Sequence, residues 1–220
     1  MHIQSLLIQF TFFAAIIAVS DVVLADSPQP PISLTVSGPY SFTDNVAGCT
    51  SGPDDTVTFR WNTTTSQSYV VCGVGWQNGS NRTISYKGSY SPNGNGIYGI
   101  YGWMRDPLVE YYIVETFGYL NPSAAASRRG NTTCNGFVYD VYEATRYNQP
   151  AIDGYPQTFK QNWSVKRNRK LGQLEGTVDM DCHFKAWGSV GMQLGASHGY
   201  QLVFADGYFN SGNAVMTITS

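Results

Sequence analysis

The chain has 220 residues and a formal net charge of −2, and its 13 Lys and Arg residues gather in no basic patch, which excludes a nucleic-acid-binding surface. Its 15 Tyr, 11 Phe, 5 Trp and 23 Gly, beside only 13% charged residues, suit a twisted β-sheet protein. Most of these rings are expected to fill a β core and the remainder to line a polar surface, where Tyr and Trp stack well on sugar rings.

From Ile3 to Val19 the sequence is almost wholly apolar, and it closes on Val23-Leu24-Ala25, a small-residue cleavage pattern. Residues 1–25 therefore read as a signal peptide. The run is too short for a membrane span and is interrupted by Gln9, Thr11, Ser20 and Asp21. Secretion and an extracellular location follow, with no membrane attachment. Residues 26–31 include Ser27-Pro28-Gln29-Pro30-Pro31, a short extended leader. Residues 32–220 remain for one domain of ordinary all-β size, expected to be a monomer. Four cysteines, Cys49, Cys72, Cys134 and Cys182, imply two disulfides in a secreted chain, with three connectivities open. Their spacings match no zinc pattern, so no metal is expected. Glycosylation sequons occur at Asn62, Asn78, Asn81, Asn131 and Asn162.

Beyond the leader the chain alternates with period two. Thr56–Trp61 sets Val57, Phe59 and Trp61 on one face and Thr58 and Arg60 on the other. Pro92-Asn93-Gly94 marks a turn. Val109–Glu115 follows with Glu110, Tyr112 and Val114 on a shared face, and Asn121-Pro122 and Asp153-Gly154 mark further turns. The one helical stretch is Cys182–Met192, with Phe184, Trp187 and Val190 at helical spacing and Gly195 as its stop. Many strands and one short helix predict two packed antiparallel sheets. A carboxylate is costly to bury beside aromatic rings, so the face carrying Glu110 and Tyr112 reads as a wet groove, which suits a polysaccharide. There is no internal repeat and no phosphate loop, and no cofactor is expected.

Ordered blocks then become specific. Tyr101-Gly102-Trp103 followed by Pro107–Glu115, then Gly136–Tyr142, Arg146–Pro150, Gln161–Val165, His183–Trp187 and Asp206–Gly212 together resemble the glycoside hydrolase family 11 endo-1,4-β-xylanases. The likeness runs from about Gly52 to Ser220. It implies a β-jelly-roll sandwich with one short helix, and a thumb hairpin at Pro150–Gly154 over a xylan-binding cleft. By this resemblance Glu110 is the nucleophile of a retaining glycosidase and Asp206 holds the acid/base position. Tyr101, Tyr112, Arg146, Pro150, Gln161 and Tyr200 match cleft positions that bind sugar hydroxyls or orient the nucleophile. Glu115, on the opposite face, is structural or peripheral. Cys134 and Cys182 match a disulfide of some family members, which leaves Cys49 with Cys72. Asn162 matches an inner strand and is set aside as a glycan site. Xylan or xylo-oligosaccharides are the expected partners, together with proteinaceous xylanase inhibitors.

The sequence also departs from that family. Asp206 stands where Glu is usual, a retreat of roughly 1.5 Å for the carboxyl. Arg60 matches a position expected to touch the acid/base, where a guanidinium would lower the Asp206 pKa and oppose proton donation. The N-terminal segment Tyr40–Asp44 lacks a family Trp, Ile97 replaces a cleft Tyr with Tyr98 shifted by one, and the thumb is one residue longer around Tyr155-Pro156. Two readings follow: a xylanase with reduced activity, or an inactive xylan-binding or inhibitor-binding relative.

Overall fold

The computed structural model describes residues 32–37, 47–64 and 69–220. The proposed signal peptide, the leader and the Tyr40–Asp44 segment lie outside the described residues. Thirteen strands and one helix are described. They are β1 (Ile32–Ser37), β2 (Ala47–Ser51), β3 (Thr56–Asn62), β4 (Tyr69–Trp76), β5 (Thr83–Asn93), β6 (Ile97–Arg105), β7 (Val109–Phe117), β8 (Ser127–Cys134), β9 (Phe137–Ala151), β10 (Gly154–Lys166), β11 (Gly172–Asp179), α1 (Met180–Ser189), β12 (Ser197–Tyr208) and β13 (Ser211–Ile218).

An eight-stranded sheet runs β1-β4-β12-β6-β7-β10-β9-β8, and a five-stranded sheet runs β11-β5-β13-β3-β2. This is the jelly-roll sandwich. One pairing departs from the all-antiparallel expectation: β7 and β10 run parallel, with Glu110 beside Gln161 and Tyr112 beside Trp163. The connection between them carries β8, β9 and the thumb, long enough for a parallel crossover.

Period two distributes the apolar side chains over two layers. Phe59, Trp61, Tyr90, Tyr98, Ile100, Tyr111 and Ile113 fill the space between the sheets. The alternate residues Tyr101, Trp103, Tyr112, Val114, Leu202 and Phe204 pave the far face of the eight-stranded sheet. Strand β6 is buried on both faces for this reason. Gly102 faces the first layer, where a β-carbon would come within 2.3 Å of the Tyr111 hydroxyl oxygen. An extra residue on β7, Glu115, opposite the step from Tyr98 to Gly99, and another on β12 between His198 and Gln201 interrupt the regular pairing along the eight-stranded sheet. Such interruptions bend a strand and add to its twist.

The helix starts earlier and stops sooner than its spacing predicts. Asp179 caps it, its carboxylate accepting from the Cys182 N–H at 3.1 Å. Gly191, at φ +73°, follows the last turn, so Gly191 rather than Gly195 marks the stop, and Val190 lies half-exposed at the cap. Both disulfides link the expected partners. Cys49–Cys72 joins β2 to β4, and so one sheet to the other, and Cys134–Cys182 joins the end of β8 to α1. Glu115 is buried between the sheets, accepting from Tyr86 at 2.7 Å and Tyr139 at 2.6 Å and pairing with Lys166 at 2.7 Å. Of the sequons, Asn62, Asn78, Asn81 and Asn131 are exposed, whereas Asn162 is buried and donates to the Gln193 carbonyl at 2.8 Å.

Candidate active site

Glu110 projects from β7 onto the paved face and is fully buried. Three donors converge on it: Tyr101 at 2.8 Å and Tyr112 at 2.7 Å on Oε1, and Gln161 at 2.5 Å on Oε2. Register explains the set. Tyr101 sits opposite Tyr112 across β6–β7, and Gln161 sits beside Glu110 across the parallel β7–β10 pair. Burial pushes the Glu110 carboxyl up; the three hydrogen bonds and the charge of Arg146 hold it down in opposition, leaving it above the ordinary glutamate range. The tyrosines are themselves braced, because Trp103 donates its indole N–H to both the Tyr101 oxygen at 2.8 Å and the Tyr200 oxygen at 3.1 Å. Trp163 stacks on Tyr112 with centroids 3.9 Å apart and planes 6° from parallel.

Asp206 projects from β12 onto the same face and is 2% exposed. Its Oδ1 accepts from the Ile97 backbone N–H at 2.6 Å and its Oδ2 from the Tyr69 hydroxyl at 2.7 Å. Burial pushes its carboxyl up to about 7, against the opposing pull of those two hydrogen bonds. The two carboxyls belong to one electrostatic unit, since both raise the pKa of Tyr69 and of Tyr112.

Arg60 does not take the place expected for it. It lies on β3 of the five-stranded sheet, opposite Asn213 and Gly48, and is exposed on the outer face. Its neighbours Phe59 and Trp61 point into the core instead. The group beside Asp206 is therefore a neutral phenol rather than a guanidinium, and the expected fall in the Asp206 pKa is replaced by a rise. Tyr98 likewise turns into the inter-sheet core against Tyr86 and Tyr90, while Ile97 occupies the cleft face. Tyr69 and the Ile97 amide are the contacts that sequence reasoning missed.

Of the remaining predicted positions, Tyr200 and Arg146 act near Glu110. Tyr200 lies 3.4 Å, oxygen to oxygen, from Tyr101, and Arg146 acts on Glu110 through its charge. Pro150 is buried at the root of the thumb. The hairpin carries one extra residue on β10 between Gly154 and Gln157 and one on β9 between Arg146 and Gln149. Its tip is tied down by Asp153, which pairs with Arg105 at 2.6 Å. Among the described residues no group of three His, Cys, Asp or Glu side chains is gathered to hold a metal ion.

A jelly-roll face with two buried carboxyls, one held by three donors and one near neutral pKa, among aromatic rings, has the makings of a glycoside hydrolase. The chain belongs to glycosyl hydrolases family 11, whose model matches residues 39–217. It is 52% identical over 153 residues to endo-1,4-beta-xylanase A of Schizophyllum commune, covering 68% of this chain and 77% of that protein. It is 44% identical over 209 residues to ethylene-inducing xylanase 1 of Verticillium dahliae, covering 93% and 91%. Among solved structures it matches one from a comparison of two endo-1,4-beta-xylanases of Trichoderma reesei, with a TM-score of 0.74, 35% identity, and coverage of 86% of this chain and 98% of that one.

Proposed function

We propose that the protein is a secreted, monomeric endo-1,4-β-xylanase that cleaves xylan with retention, Glu110 acting as nucleophile and Asp206 as acid/base. The observation that carries this reading is the asymmetry between two carboxyls on one face. Glu110 meets three donors, which favour its anion. Asp206, desolvated to a pKa of about 7, keeps its proton through the acidic range. Environments that push two carboxyls apart in this way assign one to attack and the other to proton donation.

Glu110 then attacks the anomeric carbon while the leaving sugar's oxygen takes the proton held at Asp206. A glycosyl-enzyme results. Asp206, now ionised, accepts a proton from water as the water attacks that carbon and frees Glu110. Tyr101, Tyr112 and Gln161 hold the attacking carboxylate still, and Trp103 fixes Tyr101 and Tyr200. The retreat of Asp206 by one methylene motivates a lower rate than a glutamate would give. The apolar N-terminal run and the two disulfides support an oxidising, extracellular setting. The four exposed sequons are its glycan sites, and the thumb and cleft are the surfaces for xylan and for protein inhibitors.

Reducing-sugar release from xylan by the purified protein tests the activity, and proton NMR of the first anomer released tests retention. Release of the β-anomer first, abolished in Glu110→Ala, is expected. The α-anomer first overturns retention, and no release from the unsubstituted protein overturns the hydrolase reading.

A further inference from the structure

The acid side of the cleft holds a hydroxyl for which the two-carboxylate scheme has no use. Asp206 faces Val71 across β12–β4, and Tyr69 faces Tyr208. Side chains two apart share a face, so Tyr69 and Val71 both stand on the cleft face, and Tyr69 is the diagonal neighbour of Asp206. Its ring packs on the cleft-face layer, and its hydroxyl oxygen lies 2.7 Å from Asp206 Oδ2. The other carboxyl oxygen is taken by the Ile97 N–H at 2.6 Å. Both oxygens of Asp206 are thus engaged by the protein, and the side chain is nearly closed off at 2% exposure, while Tyr69 keeps more of its surface open. The carboxyl also starts roughly 1.5 Å further back than a glutamate's, the length of one C–C bond.

We propose that Tyr69 is the terminal proton donor of the acid/base group, carrying a proton between Asp206 Oδ2 and the glycosidic oxygen. The proposal rests on the glycosidase reading above. In the first step Glu110 bonds to the anomeric carbon and the bond from that carbon to the leaving oxygen breaks. The leaving oxygen takes the Tyr69 hydroxyl proton, and the Tyr69 oxygen takes the proton of Asp206 Oδ2. Asp206 ends as a carboxylate and Tyr69 as a neutral phenol. In the second step water gives its proton to the Tyr69 oxygen, Tyr69 returns its own to Asp206, and the water oxygen displaces Glu110 from the anomeric carbon.

Two further points fit a hydroxyl in this role. In the structure the Tyr69 hydroxyl donates to Asp206 Oδ2; when Asp206 carries the proton this short contact reverses, Asp206 donates to the Tyr69 oxygen, and the phenol hydrogen turns toward the cleft. Burial first, and then the Asp206 charge, hold the phenol well above its usual range, with Glu110 adding to the effect. A free phenolate is therefore off the path, and the two transfers are concerted.

The test compares Tyr69→Phe with the unsubstituted protein, and repeats the comparison in an Asp206→Glu background. Substrates are xylan and 2,4-dinitrophenyl xylobioside, whose leaving group departs without a proton. Rates are normalised to the fraction of protein that a 2-deoxy-2-fluoro-xylobioside with the same leaving group labels on Glu110, so that misfolded variant is not counted. For Tyr69→Phe we expect kcat/KM on xylan to fall by ~100- to ~10,000-fold, the range credited to general acid catalysis, and that on the dinitrophenyl substrate by less than ~3-fold. In the Asp206→Glu background, where the carboxyl reaches further, the xylan loss shrinks to less than ~10-fold. Equal losses on both substrates, no loss on xylan, or an undiminished loss beside Glu at 206 would each overturn the relay. If the unsubstituted protein hydrolyses neither substrate, the hydrolase reading falls and the relay with it; hydrolysis that Tyr69→Phe leaves untouched removes the relay alone.

Discussion

Asp206 makes the sharpest claim on stability, because its carboxyl is neutral in the fold where it would be ionised in the unfolded chain. The folded pKa is about 7 against an unfolded value near 3.8. A carboxyl whose folded pKa is raised favours the folded state only while protonated, so its contribution falls as pH climbs from about 4 to about 7 and is flat above. The gap between those two values corresponds to about 4 kcal/mol. Asp206→Asn removes that titration yet can keep both contacts, its carbonyl accepting from Ile97 and its amide donating to the Tyr69 oxygen. The variant should melt with the parent at pH 4 and above it at pH 7.5. At about 2–4 °C per kcal/mol for a domain of this size, the gap is about 8–16 °C. Thermal melts from pH 4 to 8 by circular dichroism measure it. A difference that stays flat across that range, or a variant destabilised most at pH 7.5, would refute a buried protonated Asp206.

His183 should produce the opposite slope. Burial lowers its pKa to about 3, with the charge of Lys166 adding to the effect. The fold therefore loses up to about 5 kcal/mol as pH falls from 6.5 to 3, where only the unfolded chain takes up the proton. His183→Asn should be less stable at pH 7, through lost packing on Tyr139, and the deficit should narrow steadily on acidification; a constant deficit in the same melts rules this out. Lys166→Met strands the buried Glu115 carboxylate and should cost about 3–5 kcal/mol in urea unfolding, with Glu115→Gln added to it recovering more than half. A cost under about 1 kcal/mol would mean the ion pair is not buried as described. Arg60→Asn should leave the xylan-release rate and its pH profile within about 2-fold of the parent, as befits an outward surface residue; a shifted alkaline limb would return Arg60 to the acid/base.

Local pattern carries Glu110, whereas the family correspondence misplaces the neighbour of Asp206. The alternation of Val109–Glu115 is enough to put Glu110 and Tyr112 on one face and Glu115 on the other, and the strand delivers that arrangement. The same rule applied at β3 argues against Arg60: if Phe59 and Trp61 enter the core, the residue between them must leave it. The family correspondence points the other way, and the parity holds. Tyr69 is invisible in the sequence for a different reason. It meets Asp206 across 137 positions of sequence, through a register that only the paired strands define. The parallel β7–β10 pair is equally out of reach, because period two fixes which face a side chain takes but not the strand beside it. The helix boundary is a matter of cap chemistry, Asp179 and Gly191 overriding the apolar spacing that suggests Cys182 and Gly195.

Strand β6 touches both buried carboxyls of the candidate site. Near its C-terminal end Tyr101 and Trp103 brace Glu110, and at its N-terminal end the Ile97 amide grips Asp206. The strand thus works as a ruler, with the reach from Glu110 to Asp206 graduated along a single backbone that runs regularly past the extra residue Glu115 of β7. The thumb, by contrast, takes register shifts on both of its strands without disturbing that gauge. A residue gained or lost inside β6 would instead rescale the active site at one stroke. Tolerance to insertion in this fold should therefore be lowest in a strand that supplies neither carboxyl.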